Sequence, residues 1–444
     1  MERESMHEAA KHLLLAYMQM SEFIKDPLII KKGEGVRIED SNGKTYIDGL
    51  SGIFVVNVGH GNRAVIEAMK AQMDQLSFAP VLYATNPVAL ELVQLLSTIV
   101  PGGLTTFKLF NGGSEATEAA IKLARQYHRQ SGNPLKYKII GRYGGFHGVT
   151  MGALSATGIP IRKVPFVPLL EGFLHIQPSY CYRCPYEKEL ESCNLTCARI
   201  LEEVIKWEGP ETVAAFIMEP IMNMPGMLTP PPGYLQVLRE ICDRYEVILI
   251  YDEIVTGFGR TGSMFAAQTY GVAPDVLCMG KGMSSGYAPL AGIAMTAKIA
   301  KAFWGPAEAK VEFSHAHTYE GNPLSAAAGL ANLQEIQRRG LVENSQTMGE
   351  YLERKLRERI FPLGVVGEMR GSGLMMALEL VKDGKTKARF SPPLGQKIAS
   401  AARSNGLILR IDPHWIGLAP PLIITPAEID EIVDILERSI KEVV

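Results

Sequence analysis

Asp252 stands directly after an apolar run of the chain. The stretch "VILIYDEIVTGFGRTGS" (247–263) places four apolar residues and Tyr251 before Asp252 and Glu253, and a glycine-rich segment follows. A short apolar run bounded by charges is typical of a strand buried on both faces of a parallel sheet. Ligands of such sheets bind beyond the carboxyl ends of the strands, and a buried carboxylate needs a partner. We therefore expect Asp252 to hold a cationic group.

Lys281 is the second residue whose side chain could take part in catalysis. In "DVLCMGKGMSSGYAPLAG" (275–292) an apolar strand-like run delivers this single lysine into a loop rich in glycine and serine. Desolvation lowers the pKa of a lysine, and its neutral amine can form a Schiff base with an aldehyde. A lone lysine in a loop is more commonly solvated surface. Together with Asp252 it meets two requirements of a pyridoxal cofactor, an amine for the aldehyde and an acid for the ring nitrogen.

A phosphate-binding turn is the third requirement. "FKLFNGGSEATEAAIKLARQYH" (107–128) passes from a strand through Gly112, Gly113 and Ser114 into a strongly helical sequence. Glycine lets the backbone approach a ligand, and a helix N-terminus offers free N–H groups to an anion. The same residues also form ordinary helix caps. The argument for a phosphate site therefore rests on the three features occurring together.

The elements that must position these residues alternate between strands and helices from about residue 57 to about 321. We predict βαβ units there, and hence a large domain over 57–321. The strand-like runs are Phe107–Phe110, Lys138–Ile140, Ala214–Met218, Val247–Tyr251 and Val276–Met279. Residues 322–444 read as a smaller α+β domain, and residues 1–56 as a helix and hairpin that join it.

Three local patterns support the reading of the chain ends. Two alternating runs around Ser41-Asn42-Gly43 predict a hairpin over Gly35–Gly49. Apolar residues at helical spacing, among them Leu13, Leu14 and Met18, predict an amphipathic N-terminal helix that packs on this chain or on a partner subunit. Near the other end, Thr425, Pro426 and Glu428 predict a helix start with a capping box.

The order of the motifs resembles the class III aminotransferases, which are fold-type I pyridoxal-phosphate enzymes. The resemblance covers nearly the whole chain and rests on "NGGSEATEAAIKLAR", "YGGFHGVT", "MEP", "YDEIVTGFGRTGS", "CMGKGMSSGYAPLAG" and "HTYEGNPLSAAAG". It implies an α/β fold in which helices cover a mostly parallel mixed sheet in the large domain, with a smaller α+β domain built from both chain ends. It also implies pyridoxal 5'-phosphate as the cofactor.

The resemblance assigns roles to residues of these motifs. Lys281 matches the Schiff-base lysine, and Asp252 matches the acid that keeps the pyridine nitrogen protonated, which supplies the cation expected above. Gly113 and Ser114 match the phosphate-binding turn. Thr318 matches a threonine that reaches the phosphate of the neighbouring subunit. That role implies a homodimer or a dimer-based tetramer.

Other matched residues surround the cofactor. Phe146 occupies the position of the aromatic residue on one ring face, and Ile254 that of the aliphatic residue on the other face. His147 belongs to the same motif as Phe146, in a structural role, because lysine carries the proton transfers of the family. Glu219 matches the Glu-Pro of the family, although a carboxylate at this place also serves as a cap or an ion-pair partner. The role of His317, which departs from the usual phenylalanine, is open.

The substrates implied are an amine donor and a keto acid acceptor that react in turn at one site. Arg410 lies ten residues before Pro420, a spacing similar to that of ω-amino acid and amine:pyruvate transaminases, whose mobile arginine binds a substrate carboxylate. A guanidinium binds carboxylate in bidentate fashion, and the alternative is a surface ion pair. Phe54 stands where these enzymes have a tryptophan in the pocket wall. Pyruvate is the expected acceptor, and the donor is left open between ω-amino acids, taurine and simple amines.

Alternatives from other classes weigh less. Another class III aminotransferase, of the taurine:pyruvate or the 8-amino-7-oxononanoate type, is the nearest one. "GFGRTGS" (257–263) suggests a nicotinamide-dependent dehydrogenase, but the sequence lacks a strand–GxGxxG–helix unit with an acid about 20 residues on. A binding protein that has lost the cofactor does not account for the presence of Lys281, Asp252 and Ser114 together.

Four cysteines form a separate cluster with the spacing C-x2-C-x8-C-x3-C, namely Cys181, Cys184, Cys193 and Cys197. Such spacing suits reduced thiols, a tetrahedral zinc site or two disulfides. None of these readings involves the catalytic chemistry, and the predicted active site contains no metal.

Composition favours small-molecule partners over nucleic acid and membranes. The 444 residues include 45 Lys and Arg against 47 Asp and Glu, a formal net charge of −2 without long runs of either sign. This balance favours neither nucleic acid nor an anionic membrane. Charges interrupt every apolar segment before it reaches the length of about 20 residues that spans a bilayer, and the first residues lack a signal-peptide pattern. We expect a cytoplasmic protein.

Overall fold

The computed structural model describes residues 8–444, which fold into three sheets and the helices that surround them. The strands, labelled in chain order, are β1 (Ile30–Glu34), β2 (Arg37–Asp40), β3 (Thr45–Asp48), β4 (Leu104–Phe110), β5 (Lys138–Arg142), β6 (Phe173–Ile176), β7 (Val213–Met218), β8 (Ile248–Asp252), β9 (Val276–Met279), β10 (Ala291–Thr296), β11 (Val366–Ser372), β12 (Met375–Leu380), β13 (Leu407–Ile408), β14 (Arg410–Ile411) and β15 (Trp415–Leu418).

The helices of four residues or more follow the same order along the chain. They are Met20–Phe23, Ser51–Phe54, Arg63–Gln75, Pro87–Ile99, Gly113–Gln130, Met151–Ala156, Pro160–Lys163, Thr196–Glu208, Tyr234–Arg244, Ala266–Tyr270, Ala297–Lys301, Pro323–Arg338, Leu341–Arg359, Gly395–Ser404 and Pro426–Lys441. Within residues 8–444 no helix is both long enough and apolar enough to cross a bilayer.

The largest sheet has seven strands in the order β4-β10-β9-β8-β7-β5-β6. Neighbouring strands are parallel except around β10, which is antiparallel to both β4 and β9. This is the mostly parallel mixed sheet that the resemblance implied. The carboxyl ends of β4, β5, β7, β8 and β9 therefore lie at one edge of the sheet.

Both faces of the large sheet are buried. In β8, Ile248 and Ile250 pack in the cluster that includes the apolar face of helix Gly113–Gln130. Leu249 and Tyr251, which alternate with them, pack in the cluster on the other face. Because successive side chains of a strand point to opposite faces, a strand covered on both faces is apolar at every position. The prediction made from the apolar run before Asp252 is confirmed.

The two smaller sheets lie towards the chain ends. One has the order β1-β2-β3-β13 and the other the order β11-β12-β15-β14. The predicted hairpin is confirmed as β2 and β3, and β13 near the C-terminus pairs in parallel with β3. Residues from both ends of the chain thus share one sheet, which supports the predicted small domain. We propose the boundaries at 56/57 and 321/322 on that basis.

The first described segment differs from the prediction. An amphipathic helix through Leu13, Leu14 and Met18 was expected, but only residues 8–10 and Met20–Phe23 are helical there, and residues 1–7 lie outside the described part. The Leu14 side chain is 89% exposed. A short helix is stable only when its apolar face packs against another element. Since Leu13 and Leu14 are both exposed and residues 11–19 are not helical, the prediction of one continuous helix was wrong.

Candidate active site

The three residues with the strongest chemical signal follow three adjacent strands. Asp252 ends β8, Lys281 comes two residues after the end of β9, and Glu219 comes directly after β7. These strands are parallel neighbours, so their ends bring the three side chains to the same edge. The edge is the one at which ligands of doubly wound sheets bind.

A cavity of about 350 Å³ opens at this edge. It brings together ten of the residues singled out in the sequence: Phe54, Gly113, Ser114, Phe146, His147, Glu219, Asp252, Ile254, Lys281 and Arg410. Thr318 does not line it and is exposed on the same chain. One cavity therefore joins residues that are hundreds of positions apart in the chain.

Asp252 and His147 form a buried pair at the bottom of the site. The Nδ1 atom of His147 lies 2.9 Å from Oδ2 of Asp252, and both side chains are almost fully buried. The backbone N–H of Ile254 donates to the other carboxylate oxygen at 3.2 Å. An ionised carboxylate only accepts hydrogen bonds, so His147 donates from Nδ1. The orientation of the Asp252 carboxylate is thereby fixed, and Nε2 of His147 is buried without a partner within residues 8–444.

Lys281 is held in a strained turn. Its φ of +43° lies in the left-handed region that non-glycine residues rarely adopt. Asn332, from helix Pro323–Arg338, supports the turn by donating to the carbonyls of Gly282 (2.8 Å) and Met283 (3.0 Å). Burial lowers the pKa of Lys281, although the charges of Asp252 and Glu219 oppose this shift. A lowered pKa makes the neutral, nucleophilic amine more available.

The start of helix Gly113–Gln130 faces the cavity without a side-chain cap. Its N-cap residue is Gly112, which has no side chain to supply a capping oxygen. The hydroxyl oxygen of Ser114 accepts the backbone N–H of Val149 at 3.1 Å and so does not cap the helix. A Cβ atom on Gly148 would lie 2.6 Å from Oγ of Ser114, so only glycine allows this close approach of the two loops. The uncapped N–H groups suit an anion such as a phosphate.

Glu219 joins two loops around the cavity. Its carboxyl accepts the backbone N–H groups of Phe146 and Asn223, each at 3.1 Å. Burial raises the pKa of Glu219, and the neighbouring His147 opposes that shift. The hydrogen bond from its backbone N–H to Glu219 holds Phe146 in position at the cavity wall. The sequence left open whether Glu219 is an active-site carboxylate or a capping residue. In the structure its carboxyl lines the cavity and also accepts backbone N–H groups.

Arg410 extends into the cavity from β14. This strand pairs with β15, which places Arg410 opposite Gly417. The guanidinium donates to Sδ of Met224 at 3.0 Å, and its Nε has no partner within the described chain. No carboxylate of residues 8–444 lies within 4.0 Å of it. The alternative reading as a surface ion pair does not fit this arrangement.

Several cavity residues were missed by the sequence analysis. Tyr17, Arg162, Asn223, Met224 and Val255 all line the cavity. Asn223 and Met224 belong to "MNMPGM" (222–227), which follows the Glu-Pro motif directly and so carried a positional signal. Tyr17 and Arg162 lie in segments without a motif. Nothing in the sequence indicated that these two segments meet over the site.

The cysteine cluster lies apart from the active site. Cys181, Cys184, Cys193 and Cys197 line a separate small cavity, and all four are free thiols. Burial raises the pKa of Cys197 to about 12, which makes its thiol unreactive. Within residues 8–444 no group of three or more His, Cys, Asp or Glu side chains is arranged to hold a metal ion.

Comparison with known proteins decides the family. The sequence profile described as "Aminotransferase class-III" matches residues 20–440. The chain belongs to the class III aminotransferases. The resemblance seen in the motifs is thereby confirmed, and with it the transaminase activity and the fold.

Similar relatives and structures agree with this membership. An adenosylmethionine-8-amino-7-oxononanoate aminotransferase of Geobacter sulfurreducens is 38% identical over 98% of this chain and 96% of its own length. A taurine–pyruvate aminotransferase of Bilophila wadsworthia is 36% identical over 93% and 92%. The crystal structure of an (S)-enantioselective omega-transaminase from Thermomicrobium roseum superposes with a TM-score of 0.94 at 38% identity, covering 99% of this chain and 98% of that one. The relatives differ in substrate, so they leave the donor of this class III aminotransferase open.

The glycine-rich segment that suggested a dehydrogenase has a packing role in this class III aminotransferase. Arg260, at its centre, is fully buried and donates to the carbonyls of Leu374 (2.9 Å) and Pro420 (2.6 Å). It also donates to the side chains of Ser51 (3.0 Å) and Asn57 (2.8 Å). Arg260 thus fastens the loop that carries Phe54 to the C-terminal part of the chain. The dehydrogenase hypothesis was wrong.

Proposed function

We propose that this class III aminotransferase binds pyridoxal phosphate and transfers an amino group from an ω-amino acid or amine to a keto acid, with pyruvate as the acceptor. The observation that carries the proposal is the arrangement of one cavity. It holds Lys281 with a lowered pKa, the buried Asp252–His147 pair, and the guanidinium of Arg410 without a carboxylate partner within residues 8–444.

The residues of the cavity fit pyridoxal phosphate. The Asp252 carboxylate suits a protonated ring nitrogen, and the uncapped helix start at Gly113 and Ser114 suits a phosphate. Phe146 and Ile254 line the cavity and suit the two faces of a ring. A Cβ atom on Gly113 would lie 2.9 Å from Cδ1 of Ile254. Any larger residue at position 113 would push the Ile254 side chain away from its place in the cavity wall.

The side chains divide the chemistry between them. When bound, pyridoxal phosphate supplies an aldehyde and an electron-withdrawing ring that stabilises negative charge at the α-carbon of the substrate. Lys281 would hold that aldehyde through its Nζ atom, and once the donor amine had displaced it, Nζ would accept and return the proton of the reacting carbon. Asp252 holds the proton on the ring nitrogen, and His147 keeps Asp252 oriented. Phe54 and Phe146 line the cavity with apolar surface, which would limit the access of water to the reacting carbon.

A spectroscopic and a substrate experiment test the proposal. Protein purified with pyridoxal phosphate is expected to show a visible absorption band that borohydride bleaches, because Lys281 binds the aldehyde covalently. A panel of donors, with pyruvate as acceptor, is then followed by the formation of alanine. Protein that gains no band on addition of pyridoxal phosphate, or that forms alanine from none of the donors, would contradict the proposal.

We predict that Arg410→Ala slows the pyruvate half-reaction selectively. Arg410 is half-buried and has no carboxylate of its own within the described chain, so we assign it to the carboxylate of the keto acid. Losing a charge-assisted, partly desolvated contact is expected to lower the second-order rate with pyruvate by about 10²- to 10³-fold. The half-reaction with an uncharged amine should change far less. Single-turnover absorbance of the cofactor measures each half-reaction separately.

Arg389→Ala is the matched control for Arg410→Ala. Arg389 is exposed and does not line the cavity, so its loss is expected to leave both half-reactions unchanged. A keto compound without a carboxylate should react equally well with the wild type and with Arg410→Ala. Equal slowing of both half-reactions in Arg410→Ala would instead point to a structural role for this arginine.

We further propose that the active enzyme is a homodimer or a dimer-based tetramer in which Thr318 completes the site of the partner subunit. Thr318 is exposed and lies outside the cavity of its own chain. Large apolar side chains nearby are exposed too: Leu82 and Tyr83 are each 85% exposed, and the ring of Tyr319 stands edge-on to Phe78 at 6.2 Å between centroids. Large exposed apolar side chains on two segments that meet at Phe78 and Tyr319 are typical of an interface.

Thr318→Ala is predicted to weaken the binding of the cofactor without breaking the dimer. Removing one hydroxyl contact to a phosphate is expected to raise the Kd for pyridoxal phosphate by about 10-fold. Equilibrium dialysis measures the Kd, and sedimentation velocity measures the assembly. A monomeric wild type with full activity, or an unchanged Kd in Thr318→Ala, would remove Thr318 from the site.

A further inference from the structure

The cavity contains a second guanidinium that the proposed chemistry does not use. Arg162 lines the same cavity as Lys281 and Arg410 and comes from the short helix Pro160–Lys163. As with Arg410, no carboxylate oxygen of residues 8–444 lies within 4.0 Å of its nitrogens. Two cations in one cavity without carboxylate partners in the described chain call for anionic groups on the substrates.

Tyr17 holds the Arg162 guanidinium in place. The Cζ atom of Arg162 lies 3.4 Å from the centre of the Tyr17 ring, which is a close cation–π contact. An aromatic ring that covers one face of a guanidinium leaves the N–H groups at its edge free to donate. Those N–H groups form the fork that binds carboxylate or sulfonate oxygens. The contact therefore orients Arg162 without satisfying its hydrogen-bond donors.

The two arginines lie at different depths in the cavity. The Nε atom of Arg410 is buried, whereas Tyr17, whose ring covers the Arg162 guanidinium, is 60% exposed. Arg410 is therefore the inner cation, in agreement with the action of its charge on the pKa of Lys281, and Arg162 lies nearer to the mouth of the cavity, farther from the reacting amine. A carboxylate next to a reacting carbonyl is within reach of the nearer cation. An acid group several bonds from the reacting carbon is within reach of the farther one.

We infer that Arg162, oriented by Tyr17, binds the acid group at the far end of the amino donor, so that the enzyme prefers ω-amino acids and aminosulfonates over uncharged amines. The inference rests on the proposed function, in which pyruvate is the acceptor. Pyruvate has a single carboxylate, next to its carbonyl, and this occupies only Arg410. The second cation is then available to the donor, whose amine reacts at Lys281 while its acid group lies at Arg162.

Matched donors test the inference. Arg162→Gln is expected to lower the second-order rate of the donor half-reaction with β-alanine or taurine by about 10- to 100-fold. The rate with n-propylamine, which has a methyl group in place of the acid, should change less than about 3-fold. Arg162→Lys should recover part of the loss, because it restores the charge but not the fork. The pyruvate half-reaction is expected to stay unchanged in both variants.

The control is Arg129→Gln, at an exposed position of helix Gly113–Gln130 that does not line the cavity. Equal losses for β-alanine and n-propylamine in Arg162→Gln would overturn the inference in favour of a structural role. A loss confined to a dicarboxylic keto acid would assign Arg162 to the acceptor instead. Failure of the wild type to react with pyruvate would count against the proposed function and not against the inference. The donor half-reaction is measured without an acceptor, so it tests the role of Arg162 separately.

Binding without turnover gives a second readout. Butanoate has an acid group but no amine, so calorimetric titration measures recognition of the acid alone. In an Arg410→Ala background the remaining affinity for butanoate is expected to fall by about 10-fold when Arg162→Gln is added. Tyr17→Leu should weaken the same binding by a smaller factor, because the guanidinium loses its orientation. If the double variant bound butanoate as tightly as Arg410→Ala alone, the assignment of Arg162 would be overturned.

Discussion

Lys281→Ala is expected to lose transaminase turnover by at least about 10³-fold, because the side chain acts both as nucleophile and as proton carrier. The fold should persist. Within residues 8–444 the Lys281 amine makes no hydrogen bond and no ion pair, and alanine leaves the supporting contacts of Asn332 in place. Steady-state formation of alanine measures the turnover, and the thermal unfolding midpoint measures the fold.

Two comparisons separate a chemical loss from a general one. Lys298→Ala removes an exposed lysine outside the cavity and should leave turnover unchanged. Added methylamine should restore part of the single-turnover rate of Lys281→Ala, since a free amine can carry the proton in place of the missing Nζ. Near-normal single-turnover rates in Lys281→Ala without added amine would refute the assignment of this lysine.

The alternation of strands and helices was strong enough in the sequence to predict the large sheet. Five predicted runs match β4, β5, β7, β8 and β9 within a few residues. The strands β6 and β10 were not predicted. In β10 the sequence "AGIAMT" is rich in small residues and has no clear period, and its place between β4 and β9 comes from tertiary pairing. Antiparallel insertion of this kind has no local signal.

The candidate site was predictable where its residues follow strands. Asp252, Glu219 and Lys281 carry a signal because a charge after an apolar run is costly unless it meets a partner. Arg162 lies on a short helix and Tyr17 in a turn, and the two segments meet only in the folded chain. Thr318 shows the same limit of prediction from local sequence, because it lies outside the cavity of its own chain. If Thr318 completes the site of a partner subunit, as we propose, nothing in its own chain marks that target.

We expect Asp252→Asn to lower turnover by about 10²- to 10³-fold, because it removes the negative charge that holds a proton on the cofactor ring. Asparagine keeps the shape and can still accept the hydrogen bond from Nδ1 of His147, so the site should stay intact. The loss should fall on the step in which Lys281 takes the α-proton. A donor deuterated at the reacting carbon measures this directly, because the primary isotope effect on turnover should rise.

The neighbouring carboxylate provides the control for Asp252→Asn. Glu253 is buried on the other side of the strand, where it accepts N–H groups of Ala266 (2.6 Å) and Ala267 (2.8 Å), and burial raises its pKa to about 7. It does not line the cavity. Glu253→Gln loses one of these acceptors and should lower the thermal unfolding midpoint while the isotope effect stays at the wild-type value. If Asp252→Asn behaved in the same way as Glu253→Gln, Asp252 would belong to the scaffold, and the partner of the cofactor nitrogen would have to be another group.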